Sequence, residues 1–212
     1  QEDQGYRLAR SRNLAASKAQ GDYLIFIDGD CVPRTTFVAR QRKLAEKQCF
    51  ASGNRIKLSK KFSETVLKQQ LNIHQWSIWR WLLGRLVGRK VRLLPFLYIP
   101  GQAWRKYRHS SYRGATGFSL AAWAEDFKLA NGFEESFEGW GLEDTDFVIR
   151  LMRAGITRKE VRFAAPLFHL WHKEVDRSNL EENRKLLQKV LENNEIKASI
   201  GLEQHLTKPL PL

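Results

Sequence analysis

Residues 23 to 27, Tyr-Leu-Ile-Phe-Ile, form an unbroken apolar run that stops on Asp28-Gly29-Asp30. A run with no polar face, partly β-branched and bounded by turn formers, is what a strand buried on both sides of a parallel sheet requires. Helical patterns lie on either side of it. Tyr6 to Ala19 places Leu8, Ala15, Ala16 and Ala19 among basic residues as an amphipathic helix, and Pro33, Thr35 and Thr36 open a helix whose Phe37, Val38, Leu44 and Ala45 face a core. Helix, strand and helix in this order give an α/β fold. Open α/β sheets take their ligands at the carboxyl ends of strands, where Asp28 and Asp30 stand. Two carboxylates flanking a glycine suit one hard cation and the diphosphate it neutralises. A solvated turn is the competing reading of the tripeptide.

The pattern further on is uneven. Ala51 to Leu58 reads as a second strand, Arg113 to Trp123 as a short strand and turn, Ala124 to Ala130 as a short helix closed by Asn131-Gly132, and Glu143 to Ala154 as a helix stopped by Gly155. A strand is expected at Ile156 to Phe163. Ser178-Asn179-Leu180-Glu181 has the form of a capping box that starts a last helix with Leu180, Leu187 and Leu191 in line. The pattern fades from Lys197. One domain over 1–195 with a tail at 196–212 follows, within a chain of 212 residues that suffices for one well-buried core.

Charge separates the chain into two kinds of surface. Lys and Arg number 36 against 23 Asp and Glu, a net charge of +13, which invites nucleic acid or an anionic membrane as a partner. The excess is local. No acidic residue occurs between Glu64 and Glu125, where Lys68, Arg80, Arg85, Arg89, Lys90, Arg92, Arg105, Lys106, Arg108 and Arg113 lie among Trp76, Trp79, Trp81, Leu82, Leu83, Leu86 and Val87, followed by Leu93-Leu94-Pro95-Phe96-Leu97-Tyr98. Residues 65–113 read either as an insertion that lies on an anionic membrane or acceptor, or as core aromatics with solvated arginines. No nucleic-acid-binding motif accompanies the charge, so no nucleic-acid partner is expected. No apolar run is long enough to span a membrane, the first residues lack a signal-peptide core, and two cysteines make no disulfide framework, so a cytoplasmic location is expected.

Carboxylates crowd residues 131 to 146, Asn-Gly-Phe-Glu-Glu-Ser-Phe-Glu-Gly-Trp-Gly-Leu-Glu-Asp-Thr-Asp. Crowding raises carboxylate pKa values and makes one of them a candidate general base, while Glu143, Asp144 and Asp146 also fit a first helical turn where the macrodipole favours anions. Trp140 between Gly139 and Gly141 reads as a ring offered to a sugar, a lid, or a core residue. His169 and His172, three apart in Phe-His-Leu-Trp-His, can meet on one side of a turn and complete a carboxylate-containing metal site.

Ala-Arg-Ser-Arg-Asn at 9–13, Gly-Asp-Tyr-Leu-Ile-Phe-Ile-Asp-Gly-Asp at 21–30, the run from Asn131 to Asp144 and His-Leu-Trp-His at 169–172 together resemble family 2 glycosyltransferases of the GT-A fold. Within that family the sequence is most similar to bacterial enzymes whose C-terminal half is shared with galactosyltransferases and chondroitin-type polymerases. The resemblance implies a single GT-A domain, a mixed and mostly parallel sheet flanked by helices, with roughly 60 to 90 residues of N-terminal nucleobase-binding strands missing. It implies that Asp30 binds a metal with His172 and His169, that Asp28 contacts the nucleotide ribose or donor sugar, and that Arg12 and Asn13 approach the nucleotide. Trp140 and Gly141 would line the donor and acceptor pocket, Asp144 would be the catalytic base, and Glu143 would orient the acceptor. Leu142 departs from the Gly often found there in galactosyltransferases, so the donor sugar is not implied.

The implied function is an inverting, Mn²⁺- or Mg²⁺-dependent transfer of sugar from a nucleotide-diphosphate donor, with a UDP-sugar expected, to a glycan or lipid-linked acceptor in cell-surface polysaccharide synthesis. A metal-dependent phosphotransferase or hydrolase, and a basic nucleic-acid- or membrane-binding module, are the competing classes.

Overall fold

The computed structural model describes residues 6–86 and 98–206. Val87, Arg89, Lys90, Arg92 and the run from Leu93 to Leu97 lie outside the described residues. The α/β architecture is built on two small sheets. The first contains β1 (Tyr23–Ile27), β3 (Cys49–Ser52), β5 (Ser119–Trp123) and β6 (Thr157–Glu160) in the order β1-β5-β3-β6. The second contains β2 (Cys31–Pro33), β4 (Arg55–Lys57) and β7 (Leu167–His169) in the order β2-β7-β4.

The sheets are mixed as expected, but not mostly parallel. Among the described residues only β3 with β6 and β4 with β7 run parallel, whereas β5 runs antiparallel to β1 and β3, and β2 antiparallel to β7. An apolar run reports burial and says nothing of strand direction. β1 is also less buried than its composition suggests: among the described residues it pairs only with β5, and Ile27 is 40% exposed. The small residues of β5 hold the centre instead, with Leu120, Ala121 and Ala122 fully buried.

The single strand expected over 51–58 is two strands in different sheets. The chain breaks at Gly53, where a Cβ would collide with Ser119, so only glycine allows β3 and β5 to approach there. Helices α1 (Leu8–Lys18), α2 (Phe37–Leu44), α5 (Ala124–Leu129), α6 (Glu143–Arg153) and α7 (Leu180–Glu192) follow the sequence pattern closely. The expected capping box does not form, because the Ser178 hydroxyl and amide bond Asp176 and α7 starts after Asn179. Residues 198–206, expected as a tail, pack on the body: α8 (Glu203–Leu206) follows Leu202, which is buried in the main core, and Asn131 bonds both Ala198 O and Glu203 N.

Three apolar clusters fill the interior. The largest joins Phe26 of β1 to Phe127, Phe133 and Phe147, with ring centroids 4.5 to 5.7 Å apart. A second lies under the smaller sheet, where α3 (Lys60–Lys68), α4 (Ile78–Leu86) and the segment between them set Phe62, Trp81 and Trp76 against Phe168. Trp81 stacks on Phe168 with centroids 4.6 Å apart. The basic stretch is thus partly structural: Trp76 and Trp81 are core, and Arg105 is fully buried, donating to the carbonyls of Ile99, Gly101, Glu160 and Arg162. Truncating Arg105 would take the donor from all four of those carbonyls.

Candidate active site

The carboxyl end of β1 opens into a cleft of about 880 Å³. Asp28, Gly29 and Asp30 lie on its wall with Arg12 from α1, Arg55 and Lys57 from β4, Trp140, and the His169–His172 turn. The two aspartates are served by different partners.

Asp28 belongs to an arginine bridge. The inward face of α1 carries Ala9, Arg12 and Asn13 rather than an apolar stripe, which departs from the expected amphipathic pattern. Arg12 is buried; its Nη2 donates to Asp28 Oδ1 at 2.9 Å and its Nη1 to Glu143 Oε1 at 3.0 Å. Gly117 makes the room, since a Cβ there would collide with the guanidinium. Glu143 is held in a protein interior that disfavours its charged form. Burial, and then the neighbouring Asp144, push its pKa up to about 7 against the opposing pull of Arg12. Tyr6, on the cleft wall, has its hydroxyl pKa raised by burial and by Glu143 and Asp28.

Asp144 stands beside Glu143 in the first turn of α6. Its Oδ2 accepts from Gly117 N and its Oδ1 from Thr145 N, both at 2.7 Å, and Oδ1 accepts also from the Thr145 hydroxyl at 3.3 Å, so the carboxylate is fixed while Oδ2 keeps a lone pair. Asp144 and Glu143 are not on the cleft wall itself; Arg12 connects Glu143 to it. The turn before α6 is tight. Gly139 and Gly141 take φ of +72° and +99°, and Leu142 takes +79°, a left-handed conformation that a leucine adopts at a cost.

Asp30 faces imidazoles. His169 Nε2 lies 3.1 Å and His172 Nε2 2.9 Å from Asp30 Oδ2, and one donor atom from each of the three residues fits within 4.8 Å. The tautomer of His172 is set by its other nitrogen, which lies 2.7 Å from Lys173 O and must donate to it. A neutral His172 therefore turns a lone pair, not a proton, toward Asp30. Burial and the nearby Arg55 hold His169 below its ordinary pKa, which again favours the neutral ring. Asp30 Oδ1 is buried and accepts no sound hydrogen bond, the adjacent Cys31 thiol being a weak donor. Converging lone pairs and an unsatisfied carboxylate oxygen fit a divalent cation better than they fit one another. Two imidazoles with a carboxylate suit Mn²⁺ more than Mg²⁺, which prefers oxygen ligands.

Of the residues singled out in the sequence, Asp30, His169 and His172 converge, and Arg12, Asp28 and Glu143 converge. Trp140 lines the cleft under the Arg177 guanidinium, 4.5 Å above its ring. Gly141 does not line it; its carbonyl accepts from Asn183 of α7. Asn13, expected near the nucleotide, is turned away: it is fully buried and bonds Phe133 N, Phe133 O and Glu135, fastening α1 to the 133–135 loop. Both amide hydrogens are spent within the protein, and the group is shut off from the cleft. Sequence reasoning missed Tyr6, Arg55, Lys57, Trp171 and Arg177 on the cleft wall. The alternation of Arg55 and Lys57 around buried Ile56 was the one available signal, because period-2 spacing puts both on one face.

Comparison with known proteins bears on this geometry. The sequence model of glycosyl transferase family 2 matches residues 1–112, more than half of the chain. The chain belongs to glycosyl transferase family 2. A second model, described as the N-terminal domain of galactosyltransferase, matches residues 102–173 of the chain. The catalytic domain of Drosophila β1,4-galactosyltransferase 7, in complex with xylobiose, superposes with a TM-score of 0.52 at 17% identity, covering 93% of this chain and 65% of that one. A mutant of the same enzyme with manganese, UDP-Gal and xylobiose gives 0.47 at 16% identity, with the same coverage. The chain thus spans 65% of the length of those chains. Its fold is the GT-A fold of the galactosyltransferases. A search of curated protein sequences found no match.

Proposed function

We propose that this glycosyltransferase moves a sugar, with inversion, from a UDP-linked donor to a hydroxyl of a glycan or lipid-linked acceptor, in the cytoplasm and in the service of cell-surface polysaccharide synthesis. The observation that carries the proposal is the convergence of Asp30, His169 and His172 at the carboxyl end of β1, in the same cleft as Arg12 and Asp28. These three residues would hold Mn²⁺, which when bound offsets the charge developing on the leaving diphosphate. Asp28, steadied by Arg12, orients the ribose or donor sugar. Asp144, pinned by Gly117 N and Thr145 N, accepts the proton of the acceptor hydroxyl as that oxygen attacks from the face opposite the leaving group. Glu143 orients the acceptor, and Trp140 offers a ring face to a sugar. Drosophila β1,4-galactosyltransferase 7 is described with the glycan xylobiose, and a glycan acceptor is extended to this chain on that basis.

The test is UDP release from a panel of UDP-sugars with Mn²⁺, with and without glycan acceptors. Acceptor-dependent release supports transfer; release that ignores the acceptor points to a hydrolase. Asp144→Asn should lower kcat roughly 100- to 10,000-fold with UDP affinity unchanged. A specific observation favours one rival for the base, the Glu143 carboxyl held near neutrality. If Glu143→Gln takes the large kcat loss and Asp144→Asn does not, the roles of the two are exchanged.

A further inference from the structure

Helix α4 is apolar on two opposite sides. Trp81 points inward onto Phe168, Phe62 and Trp76. Ile78, Trp79, Leu82 and Leu83 point outward, at i, i+1, i+4 and i+5, and Trp79 and Leu83 are 72% and 64% exposed. Leu67 of α3 is exposed as well. A helix with one apolar side covered and the other bare carries a surface that something else covers. The rim is cationic: Lys60, Lys61, Lys68 and Arg80 are exposed, and Glu64 is the one acidic residue on α3 and α4.

We propose that the outward face of α4 docks on an anionic lipid bilayer. A central Trp and leucines within a Lys and Arg rim is the composition that settles at a headgroup boundary and draws anionic lipid. A second copy of the chain fits less well, since two faces of one charge sign would meet and the whole chain carries +13. The lobe that bears α4 also borders the cleft: Leu58 contributes to both, and Lys60 lies 4.8 Å over the ring of Trp171 on the cleft wall. Docking would bring that wall to the membrane, where a lipid-linked acceptor resides; this use rests on the reaction proposed above, while the docking does not.

The experiment is co-sedimentation of the 212-residue chain with phosphatidylcholine vesicles, with and without phosphatidylglycerol, paired with a transfer assay on a soluble glycan acceptor. The chain should pellet with the anionic vesicles at low salt and less so as salt rises. The double variant Trp79→Ser/Leu83→Ser should lose about tenfold or more of that partition, with thermal stability and soluble transfer unchanged. Absence of vesicle binding by the wild-type chain overturns the docking, as does equal binding by the variant, which would place lipid contact elsewhere, residues 87–97 included. A concentration-dependent dimer abolished by the same variant would make the face a self-interface and also overturn it. Vesicle binding without any transfer would uphold the docking and sink the reaction.

Discussion

Asp28 and Asp30 are two residues apart on one loop, and the molecule treats them oppositely. Asp28 is neutralised by a buried guanidinium that also grips Glu143, whereas Asp30 meets two imidazoles and a weakly donating thiol and keeps one buried oxygen without a sound hydrogen bond. The arginine end is complete in itself, with every charge answered by protein. The imidazole end keeps lone pairs that a cation would take up. Adjacent carboxylates can therefore hold separate tasks, because the second partner shell decides what each has left to offer.

The contrast breaks most sharply at Asp30. Asp30→Ala should reduce kcat/KM by about a thousandfold or more and abolish Mn²⁺ binding measured calorimetrically, with little change in folding stability. Arg12→Met should do the reverse. It strands two carboxylates against a partly closed interior and should cost on the order of 3 kcal/mol in urea unfolding, while Mn²⁺ affinity stays within a few fold of wild type. His172→Ala sharpens the imidazole end, with Mn²⁺ affinity falling roughly 10- to 100-fold and stability nearly unchanged, since its ring is exposed.

The pH response should come from the arginine end. Folded Glu143 keeps its proton up to about pH 7, whereas an unfolded glutamate releases it near 4.5. The folded state thus binds more protons between those values, so stability falls as pH rises from about 4.5 to 7, by up to a few kcal/mol. Glu143→Gln should flatten that slope in denaturant titrations across the window. A slope that survives the substitution would assign the effect to another group.

Much of this was legible without coordinates. The apolar run into Asp28-Gly29-Asp30, the acidic start of α6 and the paired histidines each announce themselves through local pattern, and local pattern is what a sequence displays. What was hidden depends on partners far along the chain. Asn13 looks like a ligand-binding amide until Phe133 and Glu135, some 120 residues away, take its hydrogen bonds. Gly53 looks like a bend within one strand until Ser119 arrives beside it. Tyr6, just ahead of α1, joins the site through carboxylates from β1's loop and α6, and no local spacing records that. Within the basic stretch, Trp79 and Trp81 are two residues apart yet occupy solvent and core. Composition could not separate them, because only the position of Phe168 says which side of α4 is inside.

Strand β7 has three residues and three obligations. Leu167 fills the cluster beneath β2, Phe168 supports Trp81, and His169 serves Asp30. Its register is fixed on both flanks, with His169 opposite Cys31 on one side and Lys57 on the other. One residue inserted between Phe163 and Leu167 would turn the phenyl ring toward the cleft and the imidazole toward the tryptophans. Over evolutionary time such a segment can exchange side chains but cannot change length, so insertions and deletions among related chains should skirt it.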